Sequence, residues 1–320
     1  MDTLIISHRS ALARWGEKGL AQRLGGPCPA PGDWTPPSAS GLDDETLRRA
    51  RLEATPGRPL HILVRDRGER VRAQRVVSHV WSGPLPDGAF YRLAPGVLLS
   101  SPAFCLQQLC ARSSEARATA TVMGVCGGYA LSAGTPHGFH ERPPLASLEE
   151  LRERFAHEHG YGARRVREAL RLALPGSRSP METVVVLFFT LPVELGGCGL
   201  PAPQINVRVE IPSDLRAALG RPYLVVDLCW EDQRIILEYD SYTWHLAPRA
   251  FDGTQSRNEG LRDEGWMVRT VTSGILSDPR LRQLLVSRVM RRFGLEPPDD
   301  EAWLLRQELL VRDLLAVRGA

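Results

Sequence analysis

Residues 225–240 constrain the fold of this chain more than any other segment. Two apolar runs flank a short polar turn at 231–233, which predicts a β-hairpin. Asp227 lies within the first predicted strand, and Glu238 and Asp240 lie at the end of the second. Because residues two apart on a strand share one face of the sheet, Glu238 and Asp240 are expected to point the same way.

These carboxylates predict a metal site. A buried carboxylate is costly unless it is paired or bound to a cation, and three of them at one end of a hairpin repel one another. Oxygen ligands of this kind suit Mg²⁺ or Mn²⁺. His245, a short way downstream, can bind such a metal or deprotonate an attacking water. Glu182, on a predicted helix that precedes the sheet, is a candidate fourth carboxylate.

The second half of the chain is predicted to be a mixed α/β (α+β) domain, a central sheet flanked by helices. Four strands are expected, at 204–211, 222–230, 234–240 and 266–272. Helices are expected at 147–159, 162–174, 179–191, 253–264 and 281–293. A Leu-rich amphipathic helix is expected to occupy the tail, residues 296–320.

Residues 1–144 are predicted to form a smaller N-terminal α/β domain. The chain to residue 26 is expected to be mainly helical, and a further helix is expected from 101 to 111. Strands are expected at 60–65, 72–80 and 91–100. Because residues 133–146 are rich in Gly and Pro, the domain boundary is placed at 144/145 and the second domain spans 145–295.

Several short motifs follow one another in a characteristic order. They are Ser179-Pro-Met-Glu182, Pro203-Gln204, Asp227, Glu238-Tyr-Asp240, Trp244-His245, Arg257-Asn258 and Gly265-Trp266. This order resembles the restriction-endonuclease-like superfamily (the PD-(D/E)XK nuclease fold), and within it the very-short-patch-repair-like endonuclease domains. The resemblance covers about residues 145–295. More loosely, segments 4–15 and 93–111 resemble the N-terminal domains of abortive-infection antitoxins.

The resemblance implies a function and a set of site residues. It implies a DNA endonuclease that hydrolyses phosphodiester bonds with a metal-activated water and leaves a 5′-phosphate. Asp227 would be the central ligand of Mg²⁺ or Mn²⁺, with Glu238 or a backbone carbonyl beside it. Asp240, His245 and Glu182 would complete the catalytic set. Residues 1–144 would bind DNA or regulate the enzyme.

The chain departs from the family pattern in ways that leave two functions open. Asp240 stands where classical members carry a catalytic lysine, and Lys18 is the only lysine in the chain, so a lysine-dependent mechanism is excluded. Ser241 replaces a usual glycine, and Asn258 replaces an aspartate. Either His245 takes over the proton transfer, or the domain is an inactive nuclease-fold module that acts as a DNA-binding regulator or toxin–antitoxin partner.

Glu182 also fits a purely structural role. Ser179 and Glu182 have the spacing of a helix capping box, in which both side chains bond to the backbone at the helix start. One carboxylate cannot easily cap a helix and hold a metal at once.

Arginines supply the candidate DNA contacts. Arg164, Arg167 and Arg171 recur on one face of a predicted helix, with Arg165 beside them, and Arg257 lies on a later helix. They are candidates to bind DNA phosphates, although a solvated helix face explains the helix arginines better, and an ion pair explains Arg257 equally well. The net charge of +3 is no strong nucleic-acid signature by itself.

Composition excludes several classes of protein. Hydrophobic residues make up 43% of the chain and charged residues 24%, so it is neither mainly disordered nor fibrous. The six cysteines contain no Cys-x-x-Cys pair, which argues against a zinc ribbon and favours reduced thiols in the cytoplasm. No segment has the length of a membrane span. The sequence leaves the oligomeric state open and allows a homodimer.

Overall fold

The computed structural model describes residues 3–32, 34–39, 41–42, 44–132, 134–211, 216, 222–240 and 259–316. The chain divides into two compact units, residues 1–173 and residues 174–319. Each unit contains a mixed sheet with helices, so the predicted mixed α/β class is confirmed. No helix in the described part of the chain is long and apolar enough to cross a membrane.

The first unit contains a five-stranded sheet with the order β3-β2-β1-β5-β4. Its strands are β1 (Leu4–Ile6), β2 (Leu60–Val64), β3 (Val76–Val80), β4 (Phe90–Ala94) and β5 (Val97–Ser100). The pairs β1–β5 and β2–β3 are parallel, and β1–β2 and β4–β5 are antiparallel. A separate hairpin pairs β6 (Tyr129–Leu131) with β7 (Phe139–Glu141).

The helices of the first unit cover this sheet and one another. They are α1 (His8–Trp15), α2 (Leu20–Arg23), α3 (Asp44–Arg49), α4 (Pro102–Cys110), α5 (Glu115–Cys126), α6 (Leu148–Ala156) and α7 (Ala163–Leu172). Helices α4 and α5 begin at Ser101 and Ser114, whose hydroxyl groups accept backbone N–H bonds. Such side-chain caps satisfy donors that a helix start leaves without partners.

Two predictions for the first unit are wrong. The central strand β1 lies where the sequence predicted mainly helix, because three apolar residues directly before a helix give no strand periodicity of their own. The single predicted strand 91–100 is a hairpin of β4 and β5. The chain turns at Gly96, which has a φ of 71°, a conformation that glycine adopts without steric cost.

Helices α6 and α7 belong to the first unit, so the two units divide at 173/174 rather than at the predicted boundary of 144/145. Helix α7 packs against α4 and α5. Gly162, at the start of α7, has a φ of 84°, and a Cβ atom there would lie 2.1 Å from the carbonyl oxygen of Gln107. The close approach of α7 to α4 therefore requires glycine at this position.

The second unit contains a four-stranded sheet with the order β11-β10-β9-β8. The strands are β8 (Gln204–Glu210), β9 (Tyr223–Trp230), β10 (Ile235–Tyr239) and β11 (Met267–Val271), which confirms all four predicted strands. Strands β8, β9 and β10 are antiparallel neighbours, and β10 pairs in parallel with β11. Apolar residues of all four strands form a common core cluster.

The helices of the second unit match the predictions except for the short one at Ser273–Ser277, which was not predicted. They are α8 (Pro180–Thr190), α9 (Ser273–Ser277), α10 (Pro279–Arg292) and α11 (Glu301–Leu315), with a short 3₁₀ helix at Val193–Leu195. Residues 259–263 are helical as predicted, whereas the rest of that predicted helix lies outside the described residues. The C-terminal α11 buries Trp303 completely and bonds its indole N–H to the carbonyl oxygen of Gly197.

Candidate metal site on the four-stranded sheet

The predicted hairpin brings Asp227 and Glu238 onto neighbouring strands. Strands β9 and β10 pair in an unbroken register from Trp230 and Ile235 to Leu228 and Leu237. One further step in this register brings Glu238 beside Asp227. The hairpin therefore juxtaposes two carboxylates at the end where its strands separate.

The backbone around these carboxylates fixes their orientation. Asp227 Oδ2 accepts a 2.8 Å hydrogen bond from the backbone N–H of Tyr239, so this side chain provides an acceptor just past the last regular β9–β10 pair. Beyond it, Asp240 N–H donates to the carbonyl oxygen of Val271, at 2.9 Å, and so extends the pairing with β11 by one residue. Asp227, Glu238 and Asp240 are all half-buried.

Glu182 has a structural role at the start of α8. The hydroxyl oxygen of Ser179 accepts a bond from the Glu182 backbone N–H at 3.1 Å, and Glu182 Oε2 accepts one from the Arg178 backbone N–H at 2.8 Å. The same Oε2 also accepts a 2.7 Å bond from the side-chain amide of Asn206, so the carboxylate bonds to β8 as well as to the helix start. Glu182 is 8% exposed.

Asn206 connects this helix to the sheet, and the sequence analysis missed it. The β8–β9 register places Ile205 opposite Leu228 and Val207 opposite Val226, which leaves Asn206 opposite Asp227. The amide nitrogen of Asn206 also donates to the carbonyl oxygen of Gly176 at 2.9 Å. The Asn206 side chain thus connects the start of α8 to β8, at the position opposite Asp227.

The residue type at position 206 is the sequence signal that could have identified Asn206. Its φ is 51°, in the left-handed region that asparagine tolerates better than most residues. An asparagine inside an otherwise strand-like segment is unusual, because asparagine is depleted in strands. It marks a position with a special backbone or a specific hydrogen bond.

Replacing Asn206 by Ala is expected to lower the free energy of unfolding by about 2–4 kcal/mol. The change leaves the buried Glu182 carboxylate without one donor and puts a Cβ-bearing residue with no local hydrogen bond at positive φ. Urea unfolding of Asn206→Ala and Asn206→Gly separates the two causes, since glycine loses only the hydrogen bonds. A glycine variant as stable as the unmodified chain would show that the bonds to Glu182 and Gly176 contribute nothing.

The described residues include the two predicted metal ligands, Asp227 and Glu238. They contain no group of three His, Cys, Asp or Glu side chains placed to hold a metal ion. Mg²⁺ is commonly bound by only one or two carboxylates and keeps several waters, so Asp227 and Glu238 fit this ion as a two-carboxylate pair. The predicted site residues His245 and Arg257 lie outside the described residues.

The predicted DNA-binding arginines of α7 lie in the first unit and mostly have protein partners. Glu168 accepts a 3.0 Å bond from Arg164 and pairs with Arg165 at 2.9 Å. Arg167 donates to the carbonyl oxygens of Phe155 and Glu158, at the end of α6. Among the described residues, the exposed Arg171 has no such partner. Their role in DNA binding stays a prediction.

A cluster of three histidines in the first unit was not foreseen from the sequence. The His8 and His79 rings stack with their centroids 3.6 Å apart, and His61 Nδ1 lies 2.9 Å from His79 Nε2. Burial, followed by the charges of His79 and His61, lowers the pKa of His8 to about 2. Burial, His61 and Arg70 lower the pKa of His79 to about 4. The pKa of His61 is lowered by burial and by Arg9.

The histidine cluster predicts that the first unit loses stability in mild acid. An unfolded histidine has a pKa of about 6.5 and binds protons that the folded cluster does not, so stability falls as the pH drops from about 6.5 towards about 4. His79→Phe keeps a stacked ring but cannot titrate. Thermal unfolding at several pH values should therefore show a shallower pH dependence for His79→Phe than for His159→Phe, which changes an exposed histidine. Equal dependences would contradict this prediction.

Comparison of the chain with protein-family models, with curated proteins and with solved structures found no match.

Proposed function

We propose that the protein is a Mg²⁺-dependent DNA endonuclease. The supporting observation is the pair Asp227 and Glu238 on neighbouring strands, with Asp227 oriented by the Tyr239 N–H. Carboxylate oxygens side by side on a sheet are ligands of the kind that Mg²⁺ prefers. The pair stands in the order of motifs that resembles restriction-endonuclease-like nucleases.

Each candidate site residue would have a distinct role in hydrolysis. Asp227 and Glu238 would hold Mg²⁺ or Mn²⁺, which when bound polarises a phosphodiester and lowers the pKa of a water. Asn206 and Glu182 position the strand opposite Asp227 and the start of α8. Asp240 or His245 would accept the proton of the attacking water. Arginine side chains would neutralise the phosphates of the DNA backbone.

Cleavage of supercoiled plasmid tests this proposal. The full chain is incubated with Mg²⁺, with Mn²⁺ or with EDTA, and relaxed and linear products are separated on a gel. We expect cleavage that requires a divalent metal. One site per chain cuts one strand, so direct linearisation would indicate a homodimer or two successive events. Cleavage that persists in EDTA would contradict a metal-dependent mechanism.

A second function is favoured by the bonding of Asp227. Because Asp227 Oδ2 already accepts a backbone N–H, the second unit also fits an inactive nuclease-fold module that binds DNA as a regulator or toxin–antitoxin partner. Calorimetric titration separates the two functions. Binding of DNA without any binding of Mg²⁺ or Mn²⁺ would favour the inactive module.

A further inference from the structure

A basic pocket lies at the outer strand of the second unit, where β11 meets α10. Its volume is about 390 Å³, and it opens to solvent. The lining residues are Met267, Arg269, Arg288, Arg291 and Arg292. Positions 288, 291 and 292 are three and four residues apart on α10, so the helix directs these side chains to one face.

The charges in this pocket are poorly neutralised. Arg291 Nε lies 3.4 Å from Glu296 Oε2, but both side chains are more than half exposed, at 66% and 77%, and such a pair is weak. Arg292 donates to the carbonyl oxygen of Gly265, at 3.0 Å, which leaves its charge uncompensated. Among the described residues, Arg288 has no hydrogen bond or ion pair.

Arg269 gives the most specific evidence that the pocket binds an anion. Its Nε is buried and has no hydrogen-bond partner within the described part of the chain, and its Nη1 donates only to the neighbouring carbonyl of Val268, at 3.2 Å. A buried donor without an acceptor is costly. Burial, together with the nearby charges of Arg288 and Arg262, lowers the pKa of Arg269. An anionic group with several acceptor oxygens would satisfy the donor and offset the repulsion.

We propose that Arg269, Arg288 and Arg292 bind a phosphate group of a nucleic-acid strand. Guanidinium groups match the geometry of phosphate oxygens and keep their charge at all physiological pH values. The choice of a nucleic acid, rather than another phosphate compound, rests on the proposed nuclease function.

The strand register shows on which face of the sheet the pocket lies. Thr270 pairs with Glu238 across β10 and β11, and Arg269 pairs with Leu237. Because successive side chains of a strand alternate between faces, Arg269 points to the opposite face of the sheet from Glu238. The pocket is therefore separate from the candidate metal site and lies on the other face of the sheet.

Binding of a fluorescent oligonucleotide tests the proposal without requiring cleavage. Anisotropy is measured in EDTA with the full chain carrying Asp227→Asn, so that failure of the nuclease mechanism does not affect the result. The test change is Arg288→Gln, at an exposed residue. The matched control is Arg280→Gln, at an exposed residue near the other end of α10. Thermal unfolding verifies that both variants are folded.

We expect Arg288→Gln to weaken binding about tenfold, the effect of one charge-assisted hydrogen bond. We also expect the slope of log affinity against log salt to fall by about 1, since one phosphate contact is lost. Arg280→Gln should change neither quantity. Equal affinities of the two variants, or no binding of the oligonucleotide, would overturn the proposal.

A competition experiment identifies the source of the phosphate. Inorganic phosphate at millimolar concentration should displace the oligonucleotide only weakly, because a strand also makes contacts outside the pocket. Stabilisation by inorganic phosphate that is lost in Arg288→Gln, in a chain that binds no oligonucleotide, would assign the pocket to a free phosphate compound and overturn the nucleic-acid assignment.

Discussion

Replacing Asp227 by Asn is expected to reduce Mg²⁺-dependent DNA cleavage at least about 100-fold, because a metal ion contributes several kcal/mol of transition-state stabilisation. Asparagine keeps a carbonyl oxygen that can accept the Tyr239 N–H, so the hairpin should stay intact. The substitution thus removes one negative charge and keeps the acceptor for the Tyr239 N–H. Gel assays of plasmid cleavage and thermal unfolding measure the two effects separately.

Two further variants serve as controls for this prediction. Asp232→Asn makes the same chemical change in the exposed turn of the hairpin and should cleave at the normal rate. Asp227→Ala also removes the acceptor for Tyr239, so it should lose about 1 kcal/mol of stability in addition to activity. Full activity of Asp227→Asn would show that Asp227 is not a metal ligand. The nuclease proposal would then lose its supporting observation.

Replacing Gly162 by Ala is expected to lower the free energy of unfolding of the first unit by about 3 kcal/mol or more. The positive φ of 84° alone costs an L-residue about 1–2 kcal/mol. In addition, the new Cβ would lie 2.1 Å from the carbonyl oxygen of Gln107, so α7 would have to move away from α4. Close-packed interiors do not absorb such a shift without loss of contacts.

Gly138 provides a matched control for the effect of the backbone conformation. Its φ is 74°, but a Cβ there would meet no atom within 4 Å. Gly138→Ala should therefore show only the smaller cost of positive φ. Denaturant unfolding of both variants measures the difference. Equal losses would show that α4 and α7 adapt to the extra methyl group.

Local sequence patterns predicted the strands and most of the helices that the structure describes in the second unit. Four apolar runs bounded by turn residues predicted β8 to β11, and the capping residue Ser179 predicted the start of α8. The proximity of Asp227 and Glu238 also follows from a local feature, because a short turn fixes the register of a hairpin. These inferences depend on residues that are close in sequence.

The missed features depend on residues that are distant in sequence. Strand β1 is too short to show periodicity and is defined by its pairing with β2 and β5. The contact of Asn206 with Glu182 joins residues on different elements, and no local pattern of either residue indicates the other. The histidine cluster likewise assembles from α1, β2 and β3. Pairings of this kind are set by the tertiary fold.

The division of the chain at 173/174 has a practical consequence for dissecting the protein. A fragment cut at 145 would carry α6 and α7 away from α4 and α5, the helices against which α7 packs. Val166, Ala169 and Leu170, buried in the full chain, would then face water and promote aggregation. A fragment that begins at 174 keeps α8 and the four-stranded sheet. The cut at this position leaves Val166, Ala169 and Leu170 in the first unit, with the helices that bury them. Insolubility of the longer fragment would therefore say nothing about the nuclease-like sheet itself.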